Sequence, residues 1–204
     1  VFTGQVRVGS NVLDNEPWVS DGTAAGTVAL AQTNPSGYAL ATNFVRNLGH
    51  VYFRSMNDLW KTDGTSTTLV SPNSVGIGPW FALNGEVFFS GIGGGLLKSD
   101  GTPGGTVVVH GGLQINIGYV AGAADVASIP GKVLFPADQS PSSGWELWST
   151  DGTSGGTVLV KDILPGAYSS YPFWFASAGS YAYFMAESED PNVASDRELW
   201  ISNG

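Results

Sequence analysis

One motif recurs five times along this chain and limits what it can fold into. The fullest copy, Glu146–Val160, reads ELWSTDGTSGGTVLV. Related stretches begin at Glu16, Asp58, Gly95 and Glu198. The same place in each copy is occupied by Asp21, Asp63, Asp100, Asp151 and Asn203. A catalytic residue is normally needed once, so a residue that recurs in every copy favours a structural role.

The spacing of the copies defines the repeat. The aspartate positions are separated by steps of 42, 37, 51 and 52 residues. Periods of this length are typical of propellers, solenoids and arrays. We place the repeats at 1–37, 38–73, 74–113, 114–166 and 167–204, within a single repeat domain.

Each full repeat predicts four short strands. An apolar strand runs into a glycine-containing turn, and Asn84-Gly85 is a strong hairpin signal of this kind. A Val-aromatic strand follows, then the Leu-Trp strand, the Asp-Gly-Thr turn and the Thr-Val strand. With the first and last repeats incomplete, the sequence predicts eighteen strands in groups of three, four, four, four and three.

The order of apolar residues predicts that each small sheet is buried on both faces. Leu147 and Trp148 are neighbours, as are Tyr52 and Phe53, and neighbours in a strand point to opposite faces. Four-stranded units buried on both sides and repeated about every 40–50 residues predict an all-β β-propeller. A β-solenoid is the alternative, although its repeats are shorter. The motif tryptophans are expected to be largely buried between adjacent units: Trp18, Trp60, Trp148 and Trp200.

The Asp-Gly-Thr segment itself is predicted to be a turn. Gly152 can adopt positive φ without a Cβ penalty. The Asp151 carboxylate can accept a hydrogen bond from the backbone N–H two residues on, which is an Asx-turn. The hydroxyls of Thr153 and Thr157 can close the loop. Asn203 supports this interpretation, because asparagine can make the same turn but cannot act as a carboxylate base.

Composition excludes several functions. The 29 glycines and the low charged fraction of 12% favour strands and tight turns over helices. A net charge of −9 gives no basic footprint for nucleic acid and disfavours anionic membrane surfaces. The sequence has no cysteine, so disulfides and thiolate zinc sites are excluded, and no apolar run predicts membrane insertion. His50 and His110 lack metal-ligand spacing.

The motif residues resemble a known family. ELWSTDGTSGGTVLVKDI, at 146–163, is similar to the ELWxxDGT repeat of large bacterial exported and surface proteins, and the following LPGAYSSYPFWF resembles its connection to the next repeat. The likeness covers nearly the whole chain, with departures such as Pro17 and Leu97. The turn also resembles the Asp-box hairpin of sialidase-type propellers. The resemblance implies a secreted bacterial protein, extracellular or at the cell surface, without a particular activity.

An acidic loop before the fifth motif is a candidate calcium site. It carries clustered oxygen ligands of the type that Ca²⁺ prefers. These residues are Glu187, Glu189, Asp190, Asn192 and Asp196. The alternative is a solvated loop in which Arg197 pairs with an acid, since no EF-hand spacing is present.

Aromatic residues near the connections are candidate glycan ligands. Sugar rings stack on exposed aromatic faces, and the candidates are Trp80, Tyr119, Tyr171 and Trp174. Core packing is the alternative, and it is favoured for Trp80, which lies at a repeat-equivalent place.

Three functional hypotheses follow. The first is a non-enzymatic module for binding, adhesion or structural assembly, with a glycan, another surface protein or copies of itself as partner. The second is a glycan-binding lectin. The third is a hydrolase of the sialidase or glycosidase type, which needs two close carboxylates or a tyrosine nucleophile with an arginine cluster. The four arginines, Arg7, Arg46, Arg54 and Arg197, are scattered in the sequence and disfavour the arginine version.

Overall fold

The computed structural model describes residues 1–8, 11–34, 39–115, 126–139, 143–188 and 197–204. These residues form an all-β structure and contain no helix. None of the described segments is therefore a helix that could cross a membrane.

The described strands form five small antiparallel sheets, and strand order within each sheet follows the sequence. The first sheet has three strands: β1 (Phe2–Val8), β2 (Asn11–Val19) and β3 (Val28–Ala29). The second has four: β4 (Ala41–Asn47), β5 (His50–Ser55), β6 (Asp58–Thr62) and β7 (Thr67–Ser71). The third also has four: β8 (Phe81–Leu83), β9 (Glu86–Ser90), β10 (Leu96–Ser99) and β11 (Thr106–His110).

The two remaining sheets complete the predicted pattern. The fourth comprises β12 (Ala127–Ile129), β13 (Lys132–Asp138), β14 (Trp145–Thr150) and β15 (Val158–Lys161). The fifth comprises β16 (Phe173–Ala178), β17 (Tyr181–Glu187) and β18 (Arg197–Ser202). The described residues thus confirm eighteen strands in groups of three, four, four, four and three.

The first hairpin of a repeat closes where the glycine signal predicts it. Asn84 and Gly85 have φ values of 53° and 81°, and Leu48 and Gly49 have values of 46° and 80°. Two consecutive residues with positive φ define the type I′ turn, whose twist matches that of the flanking strands. Asparagine and glycine adopt this conformation readily, whereas Leu48 adopts it at a cost.

The chain forms two compact units. The first contains Val1–Val75, Gly85–Val87 and Ser99–Thr106, and the second contains Gly76–Asn84, Phe88–Lys98 and Val107–Gly204. The first two sheets belong to the first unit and the last two to the second, while the residues of the third are divided between them.

Within the first unit, the second sheet provides the largest buried side chains. Phe53 and Leu59 are fully buried. The ring of Phe44 lies 5.6 Å from that of Phe53, which joins β4 to β5 by aromatic packing.

Within the second unit, the fourth sheet is packed on both faces. One face joins a cluster that contains Val133, Phe135 and Trp148 together with side chains of the third sheet: Phe81, Phe88, Leu96 and Val109. The other face places Leu134 and Leu147 in a second cluster with side chains of the fifth sheet: Phe175, Ala182, Phe184 and Ala186. Alternating residues of β13 therefore point in opposite directions, as the sequence predicts for a sheet between two neighbours.

Burial of the motif tryptophans differs from copy to copy. Trp148 is buried, with 3% of its surface exposed. Trp18, Trp60 and Trp200 are half-buried. The prediction of a largely buried tryptophan is met most fully in the fourth repeat, and the other three tryptophans keep a buried indole nitrogen with a partly exposed ring.

The fifth sheet departs from the prediction that both faces are buried. Leu199 is 72% exposed, although its equivalent Leu147 is 1% exposed. Ile201, on the same face, is 55% exposed. The difference arises because no described element packs on this face in the fifth sheet.

Candidate functional site

The aspartate of each Asp-Gly-Thr segment is the acceptor of a tight turn. Its Oδ1 accepts the backbone N–H of the threonine two residues on at 2.8–2.9 Å and the hydroxyl of the same threonine at 2.7–2.8 Å. This arrangement occurs at Asp21, Asp63, Asp100 and Asp151. The Asx-turn predicted from the sequence is confirmed in every copy that has the aspartate.

The residues around the aspartate explain the rest of the motif. Gly152 has φ of 94°, and its N–H donates to the Thr150 hydroxyl at 3.0 Å. Thr157 donates its hydroxyl to the Thr153 carbonyl at 2.7 Å. A Cβ on Gly156 would lie 2.1 Å from the Asp151 carboxyl, so only glycine fits there.

The hydroxyl residue before the aspartate is a turn residue that the sequence reasoning missed. Its oxygen accepts the glycine N–H in all five copies, at 3.0–3.1 Å. The residues are Ser20, Thr62, Ser99, Thr150 and Ser202. The signal was present, because serine or threonine stands at this place in every copy.

Hydrogen bonding also fixes the charge state of the aspartates. Hydrogen bonds from the backbone N–H groups of Ser66 and Thr65 and from the Thr65 hydroxyl lower the pKa of Asp63 to about 2. Similar bonds from Thr153 lower the pKa of Asp151, and those from Thr102 lower the pKa of Asp100. A carboxylate with a lowered pKa is a poor proton donor or acceptor near neutral pH. These aspartates therefore act as hydrogen-bond acceptors that fix the turn and are poorly suited to acid–base chemistry.

The glutamate that opens the motif is a buried acceptor for the connection to the next repeat. Glu146 is completely buried, and its Oε2 accepts the Ile163 N–H and the Ser170 hydroxyl, each at 2.7 Å. Its Oε1 accepts the Ser170 N–H at 3.0 Å. Burial raises the pKa of the Glu146 carboxyl, and these hydrogen bonds act in the opposite direction. The side chain fixes both ends of the connection between the fourth and fifth repeats.

The first unit uses motif acids in the same way. Glu16 Oε2 accepts the N–H and the hydroxyl of Thr33, at 3.0 and 2.8 Å. In the next repeat, Asp58 Oδ1 accepts the N–H of Asn73 at 2.8 Å. The acid at the start of the motif thus holds the outgoing connection in three repeats.

The connection held by Glu146 leads directly into exposed aromatic residues. The N–H groups of Ser170 and Tyr171 both donate to the Trp145 carbonyl, at 3.0 and 3.1 Å. Ser170 is completely buried, whereas Tyr168 and Tyr171 are 56% and 37% exposed. The hydrogen-bonded Ser170 is therefore a rigid anchor beside aromatic side chains that face solvent.

Tyr171 and the nearby Trp174 have strained backbones. Tyr171 has φ of 44° and Trp174 has φ of 54°, although bulky side chains rarely occupy this left-handed region. Trp174 lies at an irregularity in the β16–β17 pairing and is 53% exposed. Strain of this kind costs about 1–3 kcal/mol per residue and clusters at functional sites.

A charged pair borders Phe173, the ring neighbour of Trp174. The Phe173 and Trp174 rings lie 4.9 Å apart, and the Arg197 guanidinium lies 5.1 Å from the Phe173 ring. Arg197 Nε also lies 3.4 Å from Glu187 Oε1. The Glu187 N–H donates to the Ser170 carbonyl at 2.8 Å, which links the pair to the anchor beside Tyr171. We call Tyr171, Phe173, Trp174, Glu187 and Arg197 the aromatic patch.

The predicted glycan residues fall into different environments. Tyr171 and Trp174 belong to the aromatic patch. Trp80 is 8% exposed and stacks on Phe89 with ring centroids 5.2 Å apart, so it packs in the interior. Tyr119 lies outside the described residues. Phe173 was not predicted, although it stands beside Trp174 in the sequence.

Most of the candidate calcium residues lie outside the described part of the chain. These are Glu189, Asp190, Asn192 and Asp196. Glu187 is described, and its side chain pairs with Arg197. Across the described ranges, no group of three or more acidic or histidine side chains is arranged to hold a metal ion.

Sequence comparison adds no relative. No family model matches the chain, and no curated protein matches its sequence.

Proposed function

We propose that the chain is a non-enzymatic binding or assembly module built from β-propeller blades. The observation that carries this proposal is the use of the motif acids. The aspartates accept turn hydrogen bonds, and Glu16, Asp58 and Glu146 accept those of the connections. These recurring acids therefore hold the turns and connections of the repeats together.

The propeller arrangement is supported by the fourth sheet. Its two faces pack against the third and fifth sheets, which is the environment of a blade between two neighbours. An experimental structure tests the arrangement. Sheets set radially about an axis support it, and a linear stack of sheets would contradict it.

Secretion and display at a bacterial surface are part of the same proposal. The likeness of the repeat to ELWxxDGT proteins favours them, and the acidic composition suits a module that meets proteins or sugars and not nucleic acid. Fractionation of the bacterium that makes this protein tests the location, with the protein expected in the medium or on the cell surface. Recovery in the cytoplasmic fraction alone would contradict it.

Adhesion and self-assembly are tested with the purified chain. Beads coated with the chain are expected to bind bacterial or host surfaces, or one another, more than albumin-coated beads do. Sedimentation velocity over a range of concentrations measures self-association separately. A chain that stays monomeric and binds no surface would contradict the module function.

Glycan recognition is the second candidate function, and the aromatic patch favours it. The exposed Trp174 and Tyr171 side chains offer stacking faces, and the charged pair over the neighbouring Phe173 offers hydrogen-bonding groups. A glycan array probed with and without calcium tests it. Binding to a defined set of sugars supports a lectin, and a blank array would contradict it.

A sialidase- or glycosidase-like hydrolase has less support. Arg197 pairs with Glu187, and burial lowers the pKa of Arg54, whose guanidinium lies 3.3 Å from the Asn57 side-chain oxygen. These arginines are engaged individually, whereas recognition of a sialic acid carboxylate calls for several together. Turnover of sialosides or aryl glycosides by the pure chain, lost on substitution of a single acid, would favour the hydrolase.

A further inference from the structure

We propose that the aromatic patch is a subsite for the flat face of a neutral pyranose ring, with Trp174 as its main contact. This inference rests on the glycan-binding function proposed above and specifies the class of sugar and the residues that meet it.

The position of Trp174 in its repeat is the first argument. Asn43 in β4 occupies the equivalent place, because both residues lie at an irregularity in the pairing of the first two strands of a sheet. Both have positive φ, 57° for Asn43 and 54° for Trp174. Asparagine tolerates this conformation and tryptophan does not. The fold therefore accepts a less strained residue here, and the fifth repeat carries a strained one.

The exposure of Trp174 is the second argument. More than half of its surface faces solvent, which is unusual for a bulky side chain on a strained backbone. Tyr171, three residues earlier, is also strained and partly exposed. Strain at an aromatic side chain that stays outside the core is consistent with a side chain needed at the surface in a fixed orientation.

The rigidity of the surroundings is the third argument. Ser170 is held by Glu146, by the Trp145 carbonyl and by Glu187, and it leaves Tyr171 little freedom. Phe173 is braced by the Arg197 guanidinium over its ring. A surface fixed before binding loses less conformational entropy when the ligand arrives.

The chemistry of the patch selects the ligand class. A pyranose ring has one face rich in C–H groups, which packs on indole, and a rim of hydroxyls, which donate and accept hydrogen bonds. The Arg197 guanidinium supplies donors and the Glu187 carboxylate supplies acceptors, and both side chains are partly exposed. The two charges neutralise each other, and the chain as a whole is acidic, with a net charge of −9. A neutral sugar fits this surface better than a sialylated or sulfated one.

The test compares sugar binding and stability in one variant. Cellohexaose, maltohexaose and sialyllactose are titrated into the full chain by calorimetry and by tryptophan fluorescence. Wild type is expected to bind at least one neutral oligosaccharide more tightly than sialyllactose. Trp174→Asn is expected to weaken that binding about tenfold or more. The same variant is expected to change Tm by less than about 4 °C, because relief of strain by asparagine opposes loss of the half-buried indole.

Two control variants separate the contributions. Leu48→Asn also replaces an exposed apolar residue at positive φ, and it should raise Tm without changing sugar binding. Trp174→Phe keeps an aromatic face and should retain most of the binding. Unchanged binding in Trp174→Asn, or a fall in Tm as large as that of a core truncation, would overturn the subsite while leaving glycan recognition elsewhere in place. If neither neutral oligosaccharide binds wild type, the sugar class is wrong, and the module function is still judged by adhesion and self-association.

Discussion

Truncation of Trp148 measures how far the interface between the third and fourth sheets supports the second unit. A buried tryptophan removes about 150–250 Å² from water, which is about 4–6 kcal/mol at about 25 cal/mol per Å². The Trp148 indole N–H is buried and has no acceptor among the described residues. Removing a buried N–H that has no acceptor reduces the net cost of the truncation by about 1–3 kcal/mol. We therefore expect Trp148→Ala to lower the free energy of unfolding by about 3 kcal/mol, the difference between middle values of about 5 and about 2 kcal/mol.

Trp148→Phe is expected to cost much less than Trp148→Ala. Phenylalanine keeps a ring that can pack against the neighbouring His110, whose ring centroid lies 5.9 Å from that of Trp148. The smaller ring leaves a cavity that costs about 1–2 kcal/mol. Loss of the unsatisfied N–H offsets most of this cost. Trp148→Phe should thus change the free energy of unfolding by less than about 1 kcal/mol.

Urea unfolding followed by far-ultraviolet circular dichroism measures both variants. Trp174→Ala is the matched control, because it removes the same side chain from an exposed site and should cost much less. If Trp148→Phe destabilises as much as Trp148→Ala, the N–H makes a hydrogen bond that the packing argument omits. A cost below about 1 kcal/mol for Trp148→Ala would refute the assignment of this residue to the core.

Three further predictions concern the turn. Asp151→Asn should be mild, whereas Asp151→Ala should cost roughly 0.5–2 kcal/mol, as loss of a capping acceptor does. Gly152→Val should cost more, because valine resists positive φ. Thermal melts rank the three variants, and an Asp151→Asn variant that folds normally but loses ligand binding would contradict the structural role. Gly156→Ala should destabilise more than Asp151→Asn in the same melts, because its Cβ would meet the Asp151 carboxyl at 2.1 Å, and an unchanged Tm would show that the turn relaxes. The folded pKa of Asp63, about 2, lies below its usual 3.8, so its contribution to stability is complete above about pH 4 and is lost as the pH falls through about 2; urea unfolding between pH 5 and 2 should show a shallower loss in Asp63→Asn than in wild type.

The sequence could predict the strands because their signals are local. Leu147 beside Trp148 favours two buried faces, which the fourth sheet has and the fifth sheet does not, and Asn84-Gly85 favours a tight hairpin. The Asp151 turn was also predictable, since its hydrogen bond spans two residues. Each of these features is decided by neighbours in the chain, so a pattern repeated five times reveals it.

The function of the motif glutamate could not be predicted because its partners are distant. Glu146 and Ser170 are 24 residues apart, and Glu16 and Thr33 are 17 apart. Recurrence of the glutamate indicates a structural role, but only the fold shows that its carboxylate accepts hydrogen bonds from the connection. One partner does recur, because the N–H of the residue 17 positions on donates to both Glu16 and Glu146, but the sequence alone does not show that the two groups meet.

The aromatic patch was predicted only in part, and the reason concerns repeat proteins in general. The Asp-Gly-Thr turn stabilises the repeat from within, and in three repeats the acid that opens the motif does so too. Other positions of the repeat are therefore free to change. A binding surface in such a chain is therefore expected where one copy differs from the others at a cost to itself. Trp174 meets both conditions, because Asn43 stands at the same position and adopts the same φ with less strain. The sequence shows the difference between the copies, and the strain appears only in the structure.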